Sequence, residues 1–268
     1  MKWRSLPETA PESGSRRLYE IYAERRELIA KYVPAEIQSV HARVVEELTH
    51  SGMAQRALQP GNAAPDFELL DQDGKTFRSS ELLAKGPLVL CFIRGRWCPF
   101  CVGQMEAMNA IVSEIEKLGA ALVAISPQTQ HQSSLMADQH QLRFPLLSDA
   151  GNNVARQFGL VYQVPEYQQE VYRRVFVKLP FVNGDESWEL PIPATYILGH
   201  TVENPHHKRC EGTRSYTTGE SPAGTDVVVQ HAGEGARATQ VLFSSGNPDY
   251  TSRPEPAEIL SRIPQLLS

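Results

Sequence analysis

The stretch Arg94-Gly95-Arg96-Trp97-Cys98-Pro99-Phe100-Cys101 carries a C-x-x-C pair directly behind an apolar run, Leu88-Val89-Leu90-Cys91-Phe92-Ile93. That run has the length and β-rich content of a strand buried on both faces. Behind the cysteines, Val102, Met105, Met108, Val112, Ile115 and Leu118 fall on roughly one helical face, with Gly119 as the stop. The two thiols therefore stand where a strand hands over to the first turn of a helix. Unpaired backbone N–H groups and the positive end of the helix dipole favour a thiolate there. Arg94 and Arg96 add positive charge, the condition under which a cysteine pKa falls into the reactive range. The pair also permits half of a structural zinc site, completed by Cys210 and by His206 or His207. Pro99 between the cysteines and the strand–helix setting favour redox work over zinc.

Working outward, the pattern alternates strand and helix. Asp66–Leu69 and Thr76-Phe77 flank Asp71-Gln72-Asp73-Gly74 as a hairpin, and Ser79 or Ser80 suits the cap of a short helix. A second buried strand, Ala121–Ile125, precedes a helix near Gln130–Gln141. A short strand around Phe144–Leu147 and a helix near Asn152–Phe158 follow, and Pro165–Leu179 has a helical pattern. Ala194–Leu198 reads as a strand with Val241–Phe243 as its hairpin partner, and Pro256–Leu267 as a helix interrupted near Pro264. This order predicts an α/β domain with a central mixed sheet flanked by helices. Residues 1–15 are expected to be a flexible N-terminus. Residues 16–58 are expected to form a helical hairpin, from Leu18, Ile21, Tyr22, Leu28 and Ile29 and then Ile37, Val40, Val44, Val45 and Leu48 after Pro34. A dimer interface is the alternative use of that hairpin. Residues 59–268 form the main domain, within which 199–240 are expected to be a long, polar, disordered insertion before the last strand.

The 268 residues carry a net charge of −5, with 41 % hydrophobic and 21 % charged residues. This balance offers nothing to nucleic acid or an anionic membrane. No apolar stretch is long enough to span a bilayer, and the first residues lack the apolar core of a secretory signal, so a cytoplasmic setting is expected. Four cysteines do not make a disulfide scaffold. Cys91 reads as a small buried hydrophobe and Cys210 as an exposed bystander. The histidines outside the zinc alternative, His41 among them, show no spacing that selects a base or a ligand.

These motifs resemble the thioredoxin-fold superfamily and, within it, the alkyl hydroperoxide reductase/thiol-specific antioxidant group of peroxiredoxins and peroxiredoxin-like proteins. The resemblance runs from about Gly61 to Leu198 and resumes near Val241. It rests on Ala64–Leu69, Phe92–Cys101, Phe144–Asp149 and Pro193–Ile197. It implies a thioredoxin-like fold and a thiol-dependent antioxidant peroxidase that uses no metal, haem or flavin. Hydrogen peroxide or an organic hydroperoxide would be the substrate, and thioredoxin or a similar dithiol the reductant. Cys98 and Cys101 would run a sulfenic acid–disulfide cycle. Laid over the peroxiredoxin pattern Pro-x-x-x-Thr-x-x-Cys, the attacking cysteine is Cys101. The family threonine and proline positions then hold Cys98 and Arg94. The thioredoxin pattern Trp-Cys-x-Pro-Cys selects Cys98 instead, with Trp97 in place. Many peroxiredoxins put an arginine just before the strand Thr195-Tyr196-Ile197. Pro193 stands there in this chain, matching the cis-proline of thioredoxins. Arg94, Arg96, Trp97, Pro99 and Pro193 are thus the residues expected to shape the pocket and hold the thiolate. The alternative activity is disulfide exchange with protein substrates.

Overall fold

The computed structural model describes residues 17–200 and 238–267. The expected flexible N-terminus and residues 201–237 of the expected insertion lie outside the described residues. The described chain opens with α1 (Leu18–Tyr32), α2 (Ala35–His50) and a single turn, α3 (Met53–Arg56). Next come the hairpin β1 (Glu68–Leu70) and β2 (Thr76–Arg78), then α4 (Ser79–Leu83) and β3 (Leu88–Phe92). The middle of the chain is α5 (Pro99–Ala110), α6 (Val112–Lys117), β4 (Ala121–Ser126), α7 (Gln130–His140), β5 (Leu146–Ser148) and α8 (Asn153–Gln157). It continues through β6 (Val161–Gln163), α9 (Glu166–Arg174), α10 (Leu179–Asn183) and β7 (Glu189–Pro191). It closes with β8 (Ala194–His200), β9 (Thr239–Gly246) and α11 (Pro256–Leu267).

Seven strands form one mixed sheet in the order β2-β1-β5-β4-β3-β8-β9. β3, β4 and β5 run parallel, and β8 lies antiparallel to β3 with Phe92 opposite Ala194. All five residues of β3 are buried. Because side chains alternate along a strand, the sheet has two apolar faces. Leu88, Leu90 and Phe92 pack on one side with Val44, Phe158 and Tyr172. Val89, Cys91 and Ile93 pack on the other with both site cysteines, Leu18, Tyr22, Ile259 and Ile263. The helical hairpin is therefore divided. α1 lies on α5 while α2 lies on α9, so each helix serves a different face of the sheet.

Several expectations need correction. The helix after the cysteines breaks at Ile111 (φ −108°, ψ 6°) into α5 and α6. The helical pattern of 165–179 ends at Arg174, because Phe176 takes a left-handed φ of 62° and a separate α10 follows. β6 and β7 pair as a small second sheet that three-residue strands do not announce in sequence. Ser79 does not cap α4. Its hydroxyl accepts from the Phe67 N–H at 2.9 Å and donates to Asp66 at 3.1 Å. Pro264 does not interrupt α11, since a proline near a helix end removes one N–H and the remaining ladder carries on. The ends of the expected insertion are strand: Gly199 pairs with Gln240 and His200 with Thr239.

Candidate active site

β3 ends at Phe92, and the backbone then turns through Gly95, whose φ of +136° suits only glycine. A Cβ at Gly95 would lie 2.9 Å from Trp97 Nε1. This turn sends the two flanking arginines in different directions. Arg94 is 2 % exposed and points into the core. Arg96 donates from its backbone N–H to Gln128 Oε1 at 3.0 Å and from Nη1 to Gln132 Oε1 at 3.2 Å, on the α7 side. The sequence expected both to hold the thiolate; the Arg94 guanidinium lowers the Cys98 pKa, while Arg96 braces the loop against α7.

Cys98 is the N-cap of α5 and Pro99 its first residue, a position where proline loses no helical hydrogen bond. Cys101 sits in the first turn and accepts from the Arg94 backbone N–H at 3.4 Å. Both thiols are shut from solvent, at 1 and 0 % exposure. Burial pushes the Cys98 thiol up. The Cys101 thiol and N–H, the Arg94 guanidinium and Arg253 outweigh it and bring its pKa down to about 5. Burial and the adjacent Cys98 sulfur hold Cys101 well above the ordinary thiol value. The two sulfurs are thus pulled in opposite directions, Cys98 toward the thiolate and Cys101 toward the thiol. Cys91, pushed up to about 12 by burial, is the inert thiol the sequence suggested.

Arg94 is the centre of the site's electrostatics. Its guanidinium lies 4.7 Å from the Trp97 ring centroid and 4.3 Å from that of Tyr250, and it donates to the Tyr172 hydroxyl. No carboxylate pairs with it among the described residues, and its Nε is buried without a partner. A buried cation without a carboxylate favours an anion nearby, and its charge lowers the Cys98 pKa. His41 of α2 stands beside this cluster, 5.9 Å from Tyr172 and 6.0 Å from Tyr250 between ring centroids. Burial and Arg94 lower its pKa to about 4.

Pro193 is buried between β7 and β8, and continuing the β3–β8 register places it opposite Ile93, at the end of the sheet where Arg94 begins. All peptide bonds of the described residues are trans, so the cis-proline expectation is not met. Sequence reasoning missed Arg253, Tyr22, Tyr172, Tyr250 and His41. Nothing local marks them, because they converge only through the fold. Among the described residues, no group of three or more His, Cys, Asp and Glu is placed to hold a metal, and His206, His207 and Cys210 lie outside them. A wider cleft of about 470 Å³ between β1 and α8 offers no thiol or cation. Asp149 there is engaged in capping the Val154 and Ala155 amides at 3.0 and 2.9 Å.

The model of the AhpC/TSA family matches residues 60–202, from before the first hairpin to just past β8. The chain belongs to the AhpC/TSA family. A Mycobacterium tuberculosis (strain H37Rv) protein that carries the peroxiredoxin name is 33 % identical over 120 residues, 45 % of this chain and 78 % of that protein. Chloroplastic peroxiredoxin Q of Populus jackii is 36 % identical over 100 residues, 37 % of this chain and 46 % of its own length. The structure of a Xylella fastidiosa PrxQ mutant is 12 % identical and covers 79 % of this chain and 98 % of its own, with a TM-score of 0.51, a likeness of fold. This AhpC/TSA member is a thioredoxin-fold, thiol-dependent peroxidase. Among its described residues, no helix is long and apolar enough to cross a membrane.

Proposed function

We propose that Cys98 is the sulfur that attacks the hydroperoxide and Cys101 the one that resolves the product. The observation that carries this is the buried Arg94 guanidinium, which has no carboxylate partner among the described residues and lowers the Cys98 pKa. The Cys98 thiolate attacks the terminal oxygen of R–O–O–H. An S–O bond forms, the O–O bond breaks, and the departing alkoxide or hydroxide takes a proton from water. Sulfur is oxidised by two electrons to the sulfenic acid. Cys101 then attacks that sulfur, an S–S bond replaces S–O, and the hydroxide leaves as water with the Cys101 proton. A thioredoxin-type dithiol restores both thiols by exchange and keeps the disulfide. The reducing cytoplasm fits this cycle. Arg94 holds the thiolate, Pro99 starts the helix, and Trp97 and Pro193 wall the site. Arg96 positions the loop through Gln128 and Gln132. α1 and α2 serve as cover within one chain rather than as a dimer face, since Leu18, Tyr22 and Val44 are buried in this chain's own core.

Trapping of sulfenic acid with a dimedone probe, followed by mass spectrometry, tests the assignment. Cys98→Ser is expected to lose the peroxide reaction. Cys101→Ser is expected to consume one equivalent of peroxide and stop at the sulfenic acid. The reverse outcome gives the roles to the opposite sulfurs. A wild-type rate no faster than free cysteine, beside brisk insulin reduction, would replace the peroxidase by the disulfide-exchange reading.

A further inference from the structure

β6 and β7 pair antiparallel, so residues 164–188 form one excursion that leaves and returns at neighbouring points. Its inner side is tied to the active site. From α9, the Tyr172 hydroxyl accepts a hydrogen bond from Arg94, and its ring stands 5.2 Å from that of Trp97 between centroids. From α10, the Val182 carbonyl accepts the Thr129 N–H at 2.9 Å, next to the Gln128 that holds the Arg96 backbone. The excursion therefore lies over the ends of β3 and β4, from which the Cys98 loop and the Gln128 loop emerge.

Its outer side is apolar where the chain alone gains nothing from it. Phe176 and Phe181 are 84 and 69 % exposed, the most exposed large hydrophobic side chains among the described residues, and Val175 beside them is exposed too. The same segment reaches the core with Leu179 and Val182 and leaves the two rings outside. Phe176 carries a second cost. Its N–H donates to the Arg173 carbonyl at 3.3 Å and the Val177 N–H to the Tyr172 carbonyl at 2.8 Å, the pattern that closes a helix on a left-handed residue. Glycine takes that position without strain, and a phenylalanine at φ 62° does not. A ring that is both strained and in water repays its cost only against something outside the chain.

The size of the patch narrows what that is. The two rings and Val175 offer on the order of 400 Å². A stable dimer buries about 800 Å² on each side, whereas short-lived redox encounters are smaller. The peroxidase cycle requires such an encounter, since a dithiol protein must reach the Cys98–Cys101 disulfide and leave again. Both sulfurs of the reduced site are shut from solvent, so exchange waits on an opening. A partner already seated at the rim meets each opening at high effective concentration. We propose that Val175, Phe176 and Phe181 form the docking surface for the reducing dithiol protein, one with an apolar face beside its own exposed cysteine. The proposal rests on the peroxidase function above and adds to it the surface that receives the reductant. The partner's thiolate attacks one sulfur of the disulfide, the S–S bond breaks, and the other sulfur leaves as a thiolate. The partner's second thiol then displaces the mixed disulfide, so two electrons and two protons pass to this chain and the partner keeps the disulfide.

The experiment compares the full chain with Phe176→Gly, Phe181→Ala and the double variant. It measures sulfenic acid formation with hydrogen peroxide, turnover with thioredoxin, its reductase and NADPH, turnover with dithiothreitol, and the thermal midpoint. The double variant is expected to lose about fivefold or more in kcat/KM for thioredoxin, mostly through KM, with the single variants between. Sulfenic acid formation and dithiothreitol turnover are expected to keep their wild-type rates. Phe176→Gly is expected to melt at or above the wild-type midpoint, because glycine relieves the left-handed strain, so its slower recycling is not a loss of fold. Wild-type thioredoxin kinetics in the double variant overturn the surface, and so does a disulfide that dithiothreitol reduces and thioredoxin does not. Equal losses with both reductants overturn it too, since the rings then serve the site itself. Self-association of the wild type that the double variant loses, with thioredoxin kinetics unchanged, gives the patch to a second copy instead. A wild-type protein that forms no sulfenic acid overturns the peroxidase reading, and the proposal with it.

Discussion

The family-matched core and the chain's own additions make opposite contributions to one site. The core, residues 60–202, supplies the sulfurs, the helix that Cys98 caps and Arg94. The additions, α1 and α2 before it and 249–267 after it, supply no sulfur to the site. They contribute Tyr22, Arg25, His41, Tyr250 and Arg253 around it. Gly103 shows how closely the two regions are fitted. A Cβ there would meet Arg25 Nη1, so a side chain at this position would displace the arginine end that reaches the Pro99 carbonyl. The comparison teaches that the place of the thiol belongs to the shared fold. Part of its burial and part of its charge belong to what this chain has added.

The largest expected effect comes from breaking the core's share. Arg94→Gln removes the buried cation that faces Cys98. A thiol with pKa about 5 is mostly ionised at pH 6. One returned to the ordinary value near ~8.5 is ionised there to about 0.3 %, so the iodoacetamide rate at pH 6 is expected to fall about 300-fold. The alkylation–pH curve, cross-checked by thiolate absorbance, measures this directly. Arg94→Lys is not expected to rescue fully, because an ammonium cannot stack between Trp97 and Tyr250 as the planar guanidinium does. An unmoved curve would transfer the thiolate's support to the additions and Arg253.

That same contrast explains what the sequence revealed. β3 was legible because both its faces are buried, so six apolar residues in a row leave no periodicity to misread. The C-x-x-C was legible as a strand–helix junction, and α5 does begin at Pro99 with Cys98 as its cap. Arg94 and Arg96 were indistinguishable as letters. The positive φ of Gly95 separates them, and only coordinates reveal a backbone turn of that kind. Arg253 and His41 sit in stretches of ordinary polarity, and their roles arise from contacts across more than a hundred residues, to Gln104 and Gln168 respectively. The thioredoxin-like Pro193 was found in place, but a proline's isomer is set by its tertiary surroundings rather than by its neighbours in sequence.

A smaller effect sharpens the additions' share. His41 accepts at Nδ1 from Gln168 Nε2 at 3.4 Å and is held neutral by burial and by Arg94, with a pKa of about 4. Its folded value lies below the unfolded value of about 6.5. The unfolded chain therefore binds the proton first on acidification. The stabilisation is complete above pH 6.5 and is lost as pH falls through about 4. Between pH 7 and pH 5 the wild type is expected to lose about 2 kcal/mol more than His41→Asn, read from urea midpoints at the two pH values. Parallel losses in both proteins would place the acid sensitivity elsewhere.

The smallest effect tests whether α1 is fixed cover or a door. Tyr22 is 3 % exposed, and its hydroxyl bond to the Phe100 carbonyl is a direct polar link between α1 and the turn that bears the cysteines. Tyr22→Phe keeps the ring, which meets Phe100 edge-on at 5.1 Å between centroids, and deletes only the donor. A net hydrogen bond of this kind is worth about 1 kcal/mol. If α1 lifts locally to admit bulky reagents, its open population rises by the same free energy, about fivefold. Alkylation of Cys98 by a large maleimide is then expected to quicken about fivefold. The small iodoacetamide, which needs a smaller opening, is expected to change less than twofold. Equal acceleration of both reagents would mean that the hydroxyl tunes the thiol itself. No acceleration of either would mean that α1 stays down while the sulfur reacts, and that it is fixed cover.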